Sequence, residues 1–269
     1  MEITPLSGAL GVAVDGIDLK ETQDADTIEA LQAAFGEHLV MIVRDQVDLS
    51  PADQMRFCEF FGPLGKRSRP ADERPESDDM PADVMYVSNR KEDGQYIGSI
   101  PEGDMEFHLD QAYDERPARA TCLYAIAIPD QGGDTMFGNL CAAYDALPGD
   151  LREIVDNNKA VQVFRYGSTS AQEVADGGAT RQMAQPMAVV QPGTGRKALY
   201  VCRLMTTRIV GFDEGRSRAA LDRLIKHQER PEFIYAHKWR EGDLVIWDNL
   251  CTVHARTDFD PSQDRHLRR

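Results

Sequence analysis

Apolar residues along this chain fall into two periods. In residues 8–19, Gly-Ala-Leu-Gly-Val-Ala-Val-Asp-Gly-Ile-Asp-Leu, apolar positions alternate with small or polar ones, the two-residue repeat of a strand. Spacing turns helical over residues 26–38, where Ile28, Leu31 and Phe35 recur every three or four positions and Asp26 is placed to cap the amino end; residues 39–43 then form a short buried strand. Ser50-Pro51-Ala52-Asp53 has the form of a helix start, with a hydroxyl cap and proline in the first turn, and predicts a helix through Phe60. Residues 83–90 and 119–128 read as strands. Helical spacing returns at 140–147, 150–157 and 221–228. Residues 242–249, Gly-Asp-Leu-Val-Ile-Trp-Asp-Asn, read as a turn feeding a buried strand.

Two stretches lack an apolar period. Residues 66–82 are dense in Arg, Asp, Glu and Pro, and residues 171–185 are small and polar with Gly177-Gly178; both are candidate mobile lids. At 269 residues with no internal repeat and no compositional break, the chain is expected to form one domain spanning 1–269. A net charge of −15 speaks against nucleic acid and anionic membranes as partners, since both select basic patches. No long apolar run and no export pattern occur, so a cytoplasmic location is expected. The cysteines, Cys58, Cys122, Cys141, Cys202 and Cys251, are scattered and odd in number, as reduced core thiols are.

Candidate chemistry centres on His108 and Asp110 in Phe107-His108-Leu109-Asp110, and on His254 after Trp247-Asp248-Asn249. In a strand, residues i and i+2 face the same way, so an extended 106–113 would aim His108 and Asp110 at one ion. His254 is expected at the end of the 242–249 strand. Two imidazoles and one carboxylate form a facial triad suited to non-heme Fe(II), with positions left open for a chelating co-substrate and dioxygen. The other histidines have plainer readings: His227 exposed on a polar helix, His38 and His237 at surface or edge positions. Near the end, Arg265-His266-Leu267-Arg268-Arg269 would place Arg265 and Arg269 on one face, with His266 turned away and Arg268 solvated. A guanidinium fork suits a carboxylate.

Taken in order, Phe60-Phe61-Gly62-Pro63-Leu64-Gly65, Glu106-Phe107-His108-Leu109-Asp110, Gly132-Gly133-Asp134-Thr135, residues 194–200 and Thr206-Thr207-Arg208-Ile209 are followed by Trp247-Asp248-Asn249, His254 and Arg265. This series resembles the taurine dioxygenase family of Fe(II)- and 2-oxoglutarate-dependent oxygenases across nearly the whole chain. The resemblance implies a mainly β fold with flanking helices around a double-stranded β-helix, or jelly roll. It implies iron bound by His108, Asp110 and His254, and the far carboxylate of 2-oxoglutarate held by Thr135 and Arg265. It also implies oxidative decarboxylation to succinate and carbon dioxide, with a ferryl-oxo species hydroxylating a substrate carbon, and assembly as a homo-oligomer.

Substrate is less legible. The family's taurine-binding positions carry Arg67, Arg69 and Asp104 here, which argues against taurine itself. Asp104 is open to three readings: attraction of an amino group, acceptance from a hydroxyl, or a simple turn before a strand. Tyr113, Met205 and Arg269 match positions lining the family's substrate pocket, and the expected substrate is a small or medium organic anion. Two other classes share these residues. A Zn(II) hydrolase could use the same triad but gives no reason for Arg265 and Thr135, whereas a binding protein on the same scaffold would keep the co-substrate site without turnover.

Overall fold

The computed structural model describes residues 1–65, 74, 80–99, 102–165, 167–177 and 181–269. It is mainly β with flanking helices. A seven-stranded sheet runs in the order Glu2–Pro5, Val12–Asp15, Val40–Val43, Leu244–Asp248, Ala120–Ala127, His266–Arg268, Tyr86–Ser88. A four-stranded sheet runs Ile234–His237, Thr135–Asn139, Thr252–Arg256, Met105–His108. Three further strands, Arg181–Pro186, Lys159–Phe164 and Thr206–Ile209, pair beside them.

Leu244–Asp248 explains why its sequence is apolar at successive positions. Both faces of this strand are covered, so alternation sorts the side chains between two cores instead of between core and water. Leu244 and Ile246 pack with Leu31, Phe35, Phe57 and Phe61 beneath the helices Ala25–His38 and Pro51–Glu59. Val245 and Trp247 pack the other way, with Phe137 and Val253 of the four-stranded sheet and with Leu109 just beyond its last strand. The rings of Phe137 and Trp247 meet at 5.3 Å and hold the two sheets face to face. A third core lies under the helices Leu140–Asp145, Gly149–Asn157 and Glu214–Gln228.

Helix starts follow capping chemistry. Asp24, two residues before the expected cap, accepts from the Thr27 amide at 2.7 Å, and Ser50 with Asp53 forms a reciprocal capping box. Several polar expectations are corrected. His227 is buried, with Nε2 2.8 Å from the Ala143 carbonyl oxygen, and His237 lies on an edge strand, one of the two positions expected, but is fully buried there beside Asp243. Arg268 is buried as well, donating to Gln54 Oε1 and the Leu49 carbonyl with its guanidinium over the Tyr124 ring. His227 and Arg268 find partners far away in sequence, which a local pattern does not reveal. The described residues of the 171–185 stretch form the helix Ala171–Gly177 and the start of the strand Arg181–Pro186. The 66–82 stretch lies almost wholly outside the described residues. Among the described residues, no helix is long and apolar enough to cross a membrane.

His266 faces away from the interior cavity, as strand alternation requires, with Nδ1 2.8 Å from Ser88 Oγ and its ring on Tyr86. Burial, and secondarily Arg90, lowers its pKa to about 4. An unfolded histidine titrates near 6.5. Between these values the unfolded chain takes up a proton that the folded one refuses, so stability falls as pH drops from about 6.5 to about 4, by up to about 3 kcal/mol from this group. His266→Gln is expected to flatten that part of the urea-denaturation stability profile; an unchanged slope would show that His266 does not supply it.

Candidate active site

The strand Thr252–Arg256 aligns most of the site. It pairs antiparallel with Met105–His108 on one side and Thr135–Asn139 on the other, which puts His254 directly opposite both His108 and Phe137. The two imidazole centroids are 3.9 Å apart. His254 therefore lies inside a strand, one element later than expected.

Asp110 arrives differently from the sequence expectation. The strand ends at His108, and the chain turns through Asp110 to Gln111, whose φ is 55°. Asn249 clamps this turn. Its Oδ1 accepts from the Asp110 amide at 2.8 Å, and its Nδ2 donates to the carbonyls of Asp110 at 2.8 Å and Ala118 at 2.9 Å. Asp110 Oδ2 then accepts from Thr121 Oγ1 at 2.7 Å, is ion-paired with Arg269 at 2.8 Å, and lies 3.7 Å from His254 Nε2. One ligand atom from each of His108, Asp110 and His254 falls within 4.8 Å of the others.

Protonation suits a cation here. His108 Nδ1 is 3.0 Å from the Glu106 carbonyl oxygen and donates to it, which leaves the Nε2 lone pair for a ligand role. His254 Nδ1 is buried without a hydrogen-bond partner among the described residues. Burial depresses both histidine pKa values and keeps the rings neutral; for His254 the neighbouring His108 adds to the effect. Burial alone would raise the Asp110 pKa, but Arg269, His254 and His108 outweigh it and hold the group well below the usual carboxylate range. Two neutral imidazoles and one carboxylate are a fitting donor set for a divalent metal.

The cavity continues past the imidazoles, lined by Thr135, Trp247, Arg256, Arg265 and Arg269. Arg265 is almost fully buried and donates through Nε to the Gly133 carbonyl at 3.1 Å. Among the described residues no carboxylate makes an ion pair with it. Burial, then the nearby Arg256, lowers its pKa to about 9. A buried cation in this state favours an anion entering the cavity.

The two glycines before Thr135 make this arrangement possible. A Cβ on Gly132 would lie 2.3 Å from the Asp258 carbonyl oxygen, and one on Gly133 would lie 2.9 Å from Arg265 Nε. Both also have positive φ, at 76° and 66°.

Of the remaining candidates, Arg269 lines the cavity but contacts Asp110. Tyr113 stacks on Phe164 at 4.2 Å and shares a core cluster with Met205, and neither lines the cavity; burial, then Asp114 and Asp110, raises the Tyr113 pKa to about 12. Asp104 is exposed at the entry to Met105–His108, as a turn residue would be. Sequence reasoning missed Thr121, Asn249 and Arg256. Arg256 lies two residues past His254 on the same strand, so alternation was the available signal. It donates to the Gly103 carbonyl at 2.9 Å and the Glu102 carbonyl at 2.6 Å.

Gly133→Ala is expected to displace the Arg265 guanidinium and weaken dicarboxylate binding about tenfold, with metal affinity nearly unchanged. Calorimetric titration of both ligands checks this, and undiminished dicarboxylate affinity would remove Arg265 from the anion site.

Comparison with known proteins fits this geometry. Pentalenolactone F synthase of Streptomyces arenae is 32% identical over 284 residues, covering 100% of this chain and 94% of that protein. The alpha-ketoglutarate-dependent 2,4-dichlorophenoxyacetate dioxygenase of Cupriavidus pinatubonensis is 31% identical, covering 98% of this chain and 95% of the relative. A taurine dioxygenase structure from Burkholderia xenovorans superposes with a TM-score of 0.80 at 29% identity, covering 99% of this chain and 87% of the other. AAD-2, solved in complex with Mn(II) and N-oxalylglycine, gives a TM-score of 0.77 at 25% identity, covering 99% and 94%. Residues 2–269 match one family throughout, and the chain belongs to the Taurine catabolism dioxygenase TauD, TfdA family.

Proposed function

We propose that this protein is an Fe(II)- and 2-oxoglutarate-dependent dioxygenase that hydroxylates a small or medium organic anion and releases succinate and carbon dioxide. The observation that carries the reading is one cavity lined by both the His108 and His254 imidazoles, beside Asp110, and the buried Arg265, which has no carboxylate partner among the described residues. We further propose that residues 1–269 form one catalytic domain whose two facing sheets are a double-stranded β-helix.

In this reading His108, Asp110 and His254 hold the iron. Bound there, Fe(II) supplies the redox chemistry that couples decarboxylation of the 2-oxo acid to hydroxylation of a C–H bond. The protein's own work is positioning. Arg265 and Thr135 take the far carboxylate, fixing the direction from which the 2-oxo acid enters. Thr121 and Asn249 keep the Asp110 carboxylate and its turn in place. Trp247 and Phe137, buried against His254 with centroids at 4.7 and 6.4 Å, keep water from that side.

The substrate class draws support from two sides. Arg269 brings a guanidinium to a cavity whose lining includes the apolar Val87, Met105 and Leu123, and Tyr113, stacked on Phe164, and Met205 belong to the same apolar cluster. Relatives named for 2,4-dichlorophenoxyacetate, (S)-phenoxypropionate and sulfate esters agree with an organic anion.

Succinate formation from 2-oxoglutarate, with Fe(II) and air, tests the proposal against a panel of aryloxy carboxylates, sulfate esters, sulfonates and amino acids. At least one compound is expected to raise succinate and be oxidised itself, with activity falling at least about 100-fold in His108→Ala or after chelation. Wild-type turnover equal to that of His108→Ala under every condition would sink the enzyme reading.

A further inference from the structure

Thr135 Oγ1 faces two demands. It is almost fully buried at the cavity wall, and Trp239 Nε1 donates to it at 3.0 Å. An indole N–H only donates, whereas a hydroxyl has lone pairs to accept with and one proton to give. The Trp239 contact therefore fixes Thr135 as acceptor on that side and leaves its proton for another partner. The polar groups sharing this end of the cavity, Arg256 and Arg265, are donors. An incoming carboxylate oxygen is the complementary acceptor.

The indole is itself well held. Trp239 follows the strand Ile234–His237, whose last residue is in register with Thr135. The His237 ring meets the indole edge-on at 4.7 Å. Behind it, Asp243 Oδ2 lies 3.2 Å from His237 Nε2, accepts from Arg44 at 2.6 Å and accepts from the Arg240 amide at 2.9 Å. This chain of buried contacts fixes the ring plane, and with it the direction of the N–H.

We propose that Trp239 is a positioning residue for co-substrate binding: its N–H commits the Thr135 hydroxyl to donate to the far carboxylate of 2-oxoglutarate. The assignment rests on the co-substrate reading above and adds a residue outside it. A purely structural Trp239, with Thr135 as merely the nearest acceptor for a buried indole, predicts altered stability and unaltered binding.

The test is a double-mutant cycle on the full chain loaded with Mn(II), with N-oxalylglycine binding read by calorimetry. Trp239→Phe keeps an aromatic ring and deletes the N–H; Thr135→Val deletes the hydroxyl and leaves the indole in place. Each is expected to weaken binding about 5- to 10-fold, and the double variant to bind no more weakly than Thr135→Val alone, since without the hydroxyl the indole has nothing to orient. Thr135→Ser should retain wild-type affinity. Steady-state kinetics should show a raised KM for 2-oxoglutarate with turnover at saturation largely kept.

Two outcomes overturn the assignment while leaving the co-substrate reading intact: Trp239→Phe binding as tightly as wild type, or losses in the double variant that multiply as independent sites do. Failure of the wild type itself to bind N-oxalylglycine overturns the co-substrate reading and this assignment together.

Discussion

Register along Thr252–Arg256 is the constraint on which the site depends. This strand is paired on both edges, so one alignment sets His254 against His108 and Phe137, and Arg256 against Thr135 and Met105. A slip of one residue would turn His254 out of the cavity and bring in Val253 or Ala255. Such a slip is heavily penalised here. Val253 belongs to the core shared with Trp247 and Phe137, and its Cγ2 lies 2.8 Å from where a Cβ on Gly138 would stand. Tight packing on the reverse face thus holds His254, a candidate metal ligand, on the front one.

The same alignment concentrates cations. Arg256 and Arg265 are both buried, and burial lowers their pKa values to about 10 and about 9; Arg256 also depresses Arg265. Arg256 is relieved by the carbonyls of Glu102 and Gly103, whereas Arg265 has the Gly133 carbonyl and the Phe259 ring. Carbonyl dipoles compensate a guanidinium less completely than a carboxylate does. The fold therefore carries an electrostatic cost that an anion in the cavity would offset, a cost borne by cores distant from the site.

Much of this could be read from the chain because its logic is local. Covered strands show as apolar runs, and the Ser50 helix start shows as capping chemistry. His108, Asp110 and His254 stand out because few other uses explain that set of donors. What escaped depends on distant partners. Arg268 looked like a solvated tail residue, yet Gln54 and Leu49, more than 200 positions away, give it a buried seat. His227 is buried for the same reason, against the Ala143 carbonyl 84 positions away. Asp110 shows a subtler failure: the two-residue spacing suggested one strand face, but the chain turns after His108 and relies on Asn249 to bring the carboxylate back.

That turn bears on how the site works. A strand would fix Asp110 rigidly by its ladder, whereas a clamped turn fixes the backbone through one amide side chain and leaves the carboxylate to be set by Thr121 and Arg269. Oδ2 already accepts one hydrogen bond, from Thr121, and is ion-paired with Arg269, so the carboxylate is oriented by the protein alone. Because the clamp comes from Trp247-Asp248-Asn249 and the second imidazole lies five residues beyond Asn249, one short stretch of chain positions two of the three candidate metal ligands. The chain after that turn carries Tyr113 against Phe164, near enough to Asp110 for its charge to help raise the phenol's pKa.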